Sequence, residues 1–290
     1  MLTVDKPDTF LGDVNDKTNS PILRGQSAVR ASTVEHKPRM KQIAFFILVM
    51  GLCWMSSSTS KVYNYAYVYW SATYGWLTSA EQTAKLFQAN SIDQLGSAAG
   101  SVAAGILVVR GRKLALTIAM WLLIFGSIFS FILNWPLYLV SRCFVAFGIG
   151  IQKTSAQRYT EEYLPLALFG SGNAVIQFFS ALGDFEASFF AFIYPKTSET
   201  MTPEEQQEVL DTKLWWLPMA NQYLFMIPAV VMLCFISDTP KFYISKGDFE
   251  NAKKAIHEIY DTSGMEGQAN RITRFIGNTG DQKVTKVSVM

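Results

Sequence analysis

Residues 142 to 183, RCFVAFGIGIQKTSAQRYTEEYLPLALFGSGNAVIQFFSALG, limit the possible folds more than any other stretch. They read as one membrane helix ending in glycines, a short charged loop, and a second helix with a polar stripe. Arg142 lies about seven residues inside the first helix, roughly 10 Å deep at 1.5 Å per residue. A charge at that depth is expensive unless it faces protein or water. In the second helix Asn173, Gln177, Ser180 and Asp184 follow i, i+4, i+7, i+11 spacing and share one face. Lipid cannot satisfy such a face, so it must look onto a partner helix or a cavity. This is the pattern of a transporter bundle rather than of greasy anchors.

The bulk numbers agree. Half of the 290 residues are hydrophobic and 14% aromatic, with only 17% charged and a mean hydropathy of +0.17. A polytopic membrane protein is the first expectation. Cys53, Cys143 and Cys234 each sit in an apolar segment without CxxC spacing, and His36 and His257 lie in separate polar segments. Buried small side chains are expected there, with no metal site and no cofactor. Asp5 and Asp8 in an opening without an apolar core argue against a cleavable signal peptide. No paired carboxylate, nucleophile–base pair or phosphate loop stands outside the membrane pattern, so no catalytic residue is assigned and an enzyme is not expected. The expected surroundings are the lipid bilayer and other membrane segments, with no nucleic acid.

Four regions follow in order. Residues 1–41 form a polar tail, basic in its later part. Residues 42–236 hold six membrane helices, at about 42–70, 85–109, 114–133, 136–153, 166–194 and 214–236. Tyr65, Tyr67, Tyr69 and Trp70 read as an interfacial aromatic belt. Gly96 and Gly100 form a GxxxG pair that permits close helix contact. Asp93 on the same helix is either a cavity carboxylate or an interfacial residue near the outer end. The stretch 195–213 is a long acidic loop, and Pro218 and Pro228 are expected kinks of the sixth helix. Residues 237–265 carry an amphipathic helix, with Phe249, Ala252, Ile256, Ile259 and Tyr260 on one face. Residues 266–290 are polar. Basic residues at the end of the first tail, at 110–113 and after Pro240 put both termini on the cytoplasmic side, or on the matrix side of an organelle.

Four motifs, in the right order, resemble the sugar-porter branch of the major facilitator superfamily. Gly111, Arg112 and Lys113 fall where that family has a GRR/GRK turn. RCFVAFGIG, from Arg142 through Gly148 to Gly150, is similar to its RxxxGxGxG helix, with Ala146 for one glycine. Tyr159, Glu162, Pro165 and Gly170 match its YxxExxPxxxRG loop, and DTPKF with Pro240 and Lys241 resembles its PESPR(F/Y)L motif, followed by KGDFENAKKAI. The resemblance covers about residues 42–262, the family's N-terminal half and linker helix. It implies an all-α membrane protein, half of a major facilitator fold, plus a short amphipathic helix on the inner side.

The resemblance also implies roles. Gly111, Arg112, Lys113, Arg142, Gly148, Gly150, Glu162, Pro165, Gly170, Pro240 and Lys241 would be gating or conformational residues, with the basic turn and Glu162 forming an inner-side charge cluster. Gln177 followed by Gly183 matches the family's pattern in which a glutamine bonds sugar hydroxyls, a task suited to a neutral amide. Asn173 and Asp184 would join Gln177 at a substrate site; the same three residues read equally as helix glue. Departures stand beside the matches: Val108 for an aspartate, Phe169 for the RG arginine, Gln157 and Ser237 for prolines, and Lys241 for arginine, which loses the planar fork. The first helix lacks the aspartate of proton-coupled members. The family rocks two six-helix halves around a midplane site, and this chain carries one.

Two functions remain in play. The first is a transporter-derived half bundle serving as an accessory subunit of a larger membrane complex, such as an organelle inner-membrane assembly; the departures in the gate favour it. The second is a transporter of a sugar-like solute, working as a homodimer or with a second half chain.

Overall fold

The computed structural model describes residues 38–260, apart from 66, 77, 133, 191 and 195–201. Most of the 1–41 tail, the whole 266–290 tail and the start of the acidic loop therefore lie outside the described residues. The described residues contain no β-strand; an antiparallel bridge joins Pro38 to Tyr260.

The first membrane crossing is α1 (Met40–Ser58), a 3-10 segment (Thr59–Asn64) and α2 (Tyr67–Tyr74). The serine run explains the change of helix. Ser56 donates to the Cys53 carbonyl at 2.7 Å, Thr59 to Ser56 at 3.0 Å and Ser60 to Ser57 at 2.7 Å. Hydroxyls that bond back three residues compete with the α-helical ladder and favour the tighter turn. Helix α3 (Ser79–Arg110) begins earlier than its apolar pattern indicates, because Thr78 caps the Glu81 amide. Gly111 separates it from α4 (Arg112–Ile128).

Helix α5 (Trp135–Tyr163) opens on an Asn134 cap with a proline in its first turn. It corrects the expected boundary. The segment taken for a charged loop is helical to Tyr163, since nothing in QKTSAQRYTEEY breaks a helix before Pro165. The rest comprises α6 (Leu166–Phe190), α7 (Pro203–Thr212), α8 (Leu217–Leu233), α9 (Pro240–Ser245) and α10 (Phe249–Ile259). Helix α7 lies inside the expected acidic loop and forms through a capping box between Thr202 and Glu205. Pro218 belongs to the first turn of α8, where it interrupts no hydrogen bond, and Pro228 is the proline inside the helix.

Among the described residues, five helical stretches are long and apolar enough to cross a membrane: Met40–Tyr74, Ala80–Arg110, Arg112–Phe131, Leu166–Phe190 and Leu214–Leu233. Helix α5 is the sixth member of the bundle. Its 29 residues span about 43 Å at 1.5 Å each, and its polarity is tolerated because it packs between α3 and α4. The ends alternate. Arg39 donates to the Ile259 carbonyl at 2.8 Å and Lys113 Nζ to Cys234 at 3.0 Å at one end. At the other, the Tyr74 hydroxyl accepts from the Trp135 amide at 2.8 Å and Tyr69 meets Thr212 at 2.6 Å. Met40 and Leu233 thus lie at the same end of the bundle.

Two packed regions hold the helices. Near the Met40 end Phe46 stacks on Tyr163 at 4.0 Å and meets Tyr159 edge-on, within a core that includes Ile43, Met50 and Met120. At the opposite end Tyr67, Trp70, Trp76, Trp135 and Tyr138 form an aromatic cluster. Tyr67, Tyr69 and Trp70 are buried. They are therefore core rather than the expected interfacial belt; helix α2 is turned inward onto α5 and α7.

The closest approach is between α3 and α5. A Cβ on Gly100 would run into the Phe147 carbonyl, and one on Gly150 into the Ser97 carbonyl. Backbones this close are possible only with glycine at the crossing. Gly100→Leu should therefore cost about 1–3 kcal/mol or prevent assembly, whereas Gly105→Ala, which meets nothing within 4 Å, should leave thermal unfolding in detergent unchanged.

Candidate functional site

Two polar constellations stand out, one at the Met40 end and one midway along the bundle. The first is built on the turn between α3 and α4. Gly111 has φ 155° and ψ 133°, a region that side chains rarely adopt, and it turns the chain so that Arg112 faces α5. Arg112 Nε and Nη2 donate to the two Glu162 oxygens at 2.7 and 2.8 Å, the paired fork that suits a guanidinium. Thr239 Oγ1 donates to Glu162 at 2.8 Å and Lys241 Nζ lies 3.5 Å from it.

Asp238 completes the cluster. It accepts from the Lys113 amide at 3.3 Å, at the positive N-terminus of α4. Burial pushes its carboxyl up from the usual range, opposed by the Thr239, Lys113 and Arg112 amides and by the Arg112 charge. Thr239 caps α9, with Pro240 in its first turn. The Tyr159 hydroxyl donates to the Ser237 carbonyl, and Ser237 donates to Glu258 at 2.8 Å, which ties α10 to the same end.

Several sequence-derived candidates therefore meet here: Gly111, Arg112, Lys113, Glu162, Pro240 and Lys241. Others do not. Gly148 packs α5 on α4, with the Ala119 carbonyl 3.1 Å from where its Cβ would stand, and Gly150 packs α5 on α3. Pro165 is buried at the α5–α6 corner, while Gly170 is exposed with nothing within 4 Å. Arg142 is far along α5, in the second constellation.

That second site is a cavity of about 340 Å³ between α1, its 3-10 extension, α3, α5 and α6. Arg142, only 4% exposed, is ion-paired with Asp93 of α3, and its guanidinium lies 5.2 Å from the Tyr63 ring. Asp93 thus lines the cavity, the first of its two readings. Asp93 Oδ1 and Arg142 Nε have no hydrogen-bond partner although buried. Asp184 pairs with Lys61 at 2.7 Å and Ser180 meets Ser58 at 2.9 Å, both across the cavity wall.

The polar stripe of α6 is split by these contacts. Ser180 and Asp184 line the cavity; Asn173 and Gln177 do not. Asn173 keeps an unpartnered Oδ1, and Gln177 is exposed on the open face of the bundle. Lys61 and Lys153 also line the cavity and escaped the sequence reading. Their only signal was a lysine inside a membrane-length helix.

A helical bundle with a polar cavity at its middle and a charged clasp at one end fits the expected half of a major facilitator fold. Comparison with known proteins gives the family. The model described as "Sugar (and other) transporter" matches residues 44–289, and the chain belongs to that family. It is 25% identical to Hexose transporter 1 of Plasmodium falciparum (isolate 3D7) over 205 residues, 68% of this chain and 39% of the relative. It is 28% identical to the Galactose-proton symporter of Escherichia coli (strain K12) over 176 residues, 58% of this chain and 33% of the relative. The chain therefore spans well under half the length of these curated relatives.

Among solved structures, the xylose transporter XylE from E. coli in a partially occluded inward open conformation superposes with a TM-score of 0.61 at 16% identity. That match covers 84% of this chain and 61% of XylE. XylE bound to 6-bromo-6-deoxy-D-glucose gives the same TM-score, covering 82% and 54%. These likenesses establish the fold.

The clasp should behave as a unit. In a double-mutant cycle of Arg112→Ala and Glu162→Ala, measured by thermal unfolding, we expect a coupling of about 1–3 kcal/mol, with Arg112→Lys recovering only part of it because the fork is lost.

Proposed function

We propose that this chain supplies the N-terminal half of a transporter for a hydroxylated, sugar-like solute, completed by a second six-helix half. The observation that carries the reading is the polar wall at mid-bundle in a chain of this family. The cavity is lined by polar and charged side chains, and Gln177 is a further exposed amide on α6, groups that lipid cannot satisfy. A hydroxylated solute and an opposing half can. Two copies of this chain or one copy with a second half are the two ways to complete it.

The accessory-subunit reading loses its main support. Besides the single half and the long polar ends, it rested on the departures in the gate, above all the missing aspartate at Val108 and arginine at Phe169. The clasp closes without them: Asp238 and Thr239 supply contacts around Glu162 and the α4 N-terminus, and Arg112 bonds the Val108 carbonyl rather than its side chain. A clasp of this kind can break and reform as a carrier changes its opening. With Arg110, Arg112, Lys113 and Lys241 gathered at the Met40 end, the positive-inside rule supports placing that end in the cytoplasm or organelle matrix.

The test is uptake by liposomes containing the assembled protein, with a panel of labelled neutral and acidic sugars. The expected result is saturable uptake of at least one, lowered roughly fivefold to tenfold by Gln177→Ala, about the worth of one hydrogen bond to a solute. No uptake of any member of the panel sinks the reading.

A further inference from the structure

The mid-bundle cavity carries an imbalance of charge. Three cations line it, Lys61, Arg142 and Lys153, against two carboxylates, Asp93 and Asp184. The carboxylates are engaged: Asp93 by Arg142 and Asp184 by Lys61. Lys153 has no ion-pair partner among the described residues and feels the repulsion of Lys61 as well as the attraction of Asp184. One positive charge is therefore in excess, on α5, about three turns from the buried Arg142. Arg142 itself keeps an unpartnered Nε.

Lys153 is exposed on this half, and once the site is closed off from water its charge needs a counter-charge, because the surrounding dielectric cannot solvate it as water does. Apart from Ala146 and Ile149, the remaining lining is made of hydroxyls and amides, including Ser57, Ser97, Asn64 and Asn90. Such groups bond sugar hydroxyls from either side, as donor or acceptor. A volume of about 340 Å³ is at the small end of ligand sites and suits a single small molecule.

We infer that the preferred solute of this site is a hydroxylated monoanion of the sugar-acid class, with its carboxylate neutralising Lys153 and its hydroxyls on the serine and amide wall. The inference rests on the transport reading and narrows its substrate. A neutral sugar would leave the lysine uncompensated, and a doubly charged sugar phosphate would overshoot the single excess charge. A lysine ammonium offers three donors to one carboxylate, an interaction stronger than a neutral hydrogen bond.

The experiment compares binding of glucuronate and of glucose to the assembled protein in detergent, using labelled ligands. Wild type is expected to bind glucuronate at least tenfold more tightly. Lys153→Gln should weaken glucuronate roughly tenfold while leaving glucose binding unchanged, in line with the loss of a charged hydrogen bond. Lys153→Arg, which keeps the charge, should retain the preference, and so separates loss of charge from general damage. Equal or tighter binding of glucose by wild type overturns the inference and leaves the transport reading standing. So does an unchanged glucuronate-to-glucose ratio in Lys153→Gln. Binding of neither compound, with no uptake of any sugar, overturns both.

Discussion

A guanidinium in the middle of a membrane bundle must be neutralised from within a few ångströms, and the rest of this structure depends on how that is done. Arg142 finds its partner, Asp93, on the adjacent helix. The two helices come close enough because Gly100 and Gly150 leave room for the facing carbonyls. A bulkier residue at either crossing would separate the backbones and leave a buried charge unpaired, which is far costlier than the lost contact alone. The glycines, the ion pair and the cavity beside it are one device.

The clasp at the other polar site works by different physics. Its members are part-buried rather than enclosed, and they come from three separate stretches: the α3–α4 turn, the end of α5 and the segment leading into α9. Glu162 is the shared acceptor, engaged by Arg112, Thr239 and Lys241. Such a node ties the ends of the helices together without fusing their cores. A moderate free energy suits contacts that a carrier must open and close.

The order of the helices, the glycine contacts and the end cluster were all legible in the sequence, because periodicity and motif spacing encode which residues share a face. What was not legible is what each face meets. Tyr67, Tyr69 and Trp70 have the composition of an interfacial belt, yet they are core, since the tightened turn after the serine run redirects α2. Helix α5 looked short because its second half is charged; that polarity is absorbed by α3, α4 and the clasp. Asp93 carries no local mark of its partner, which lies 49 residues away in Arg142. The stripe of α6 was read as one surface, but its lower part faces the cavity and its upper part, with Gln177, faces outward. Departures at Val108 and Phe169 looked like erosion only while the contributions of Asp238 and Thr239 were unseen.

The central claim is that this bundle is one of two halves of a carrier. The most direct measurement is the native mass of the gently extracted assembly that contains the chain, with identification of everything that comigrates. The account predicts a particle with two six-helix halves and no other constant component. Finding the chain at fixed stoichiometry within a large complex of unrelated membrane subunits would contradict it.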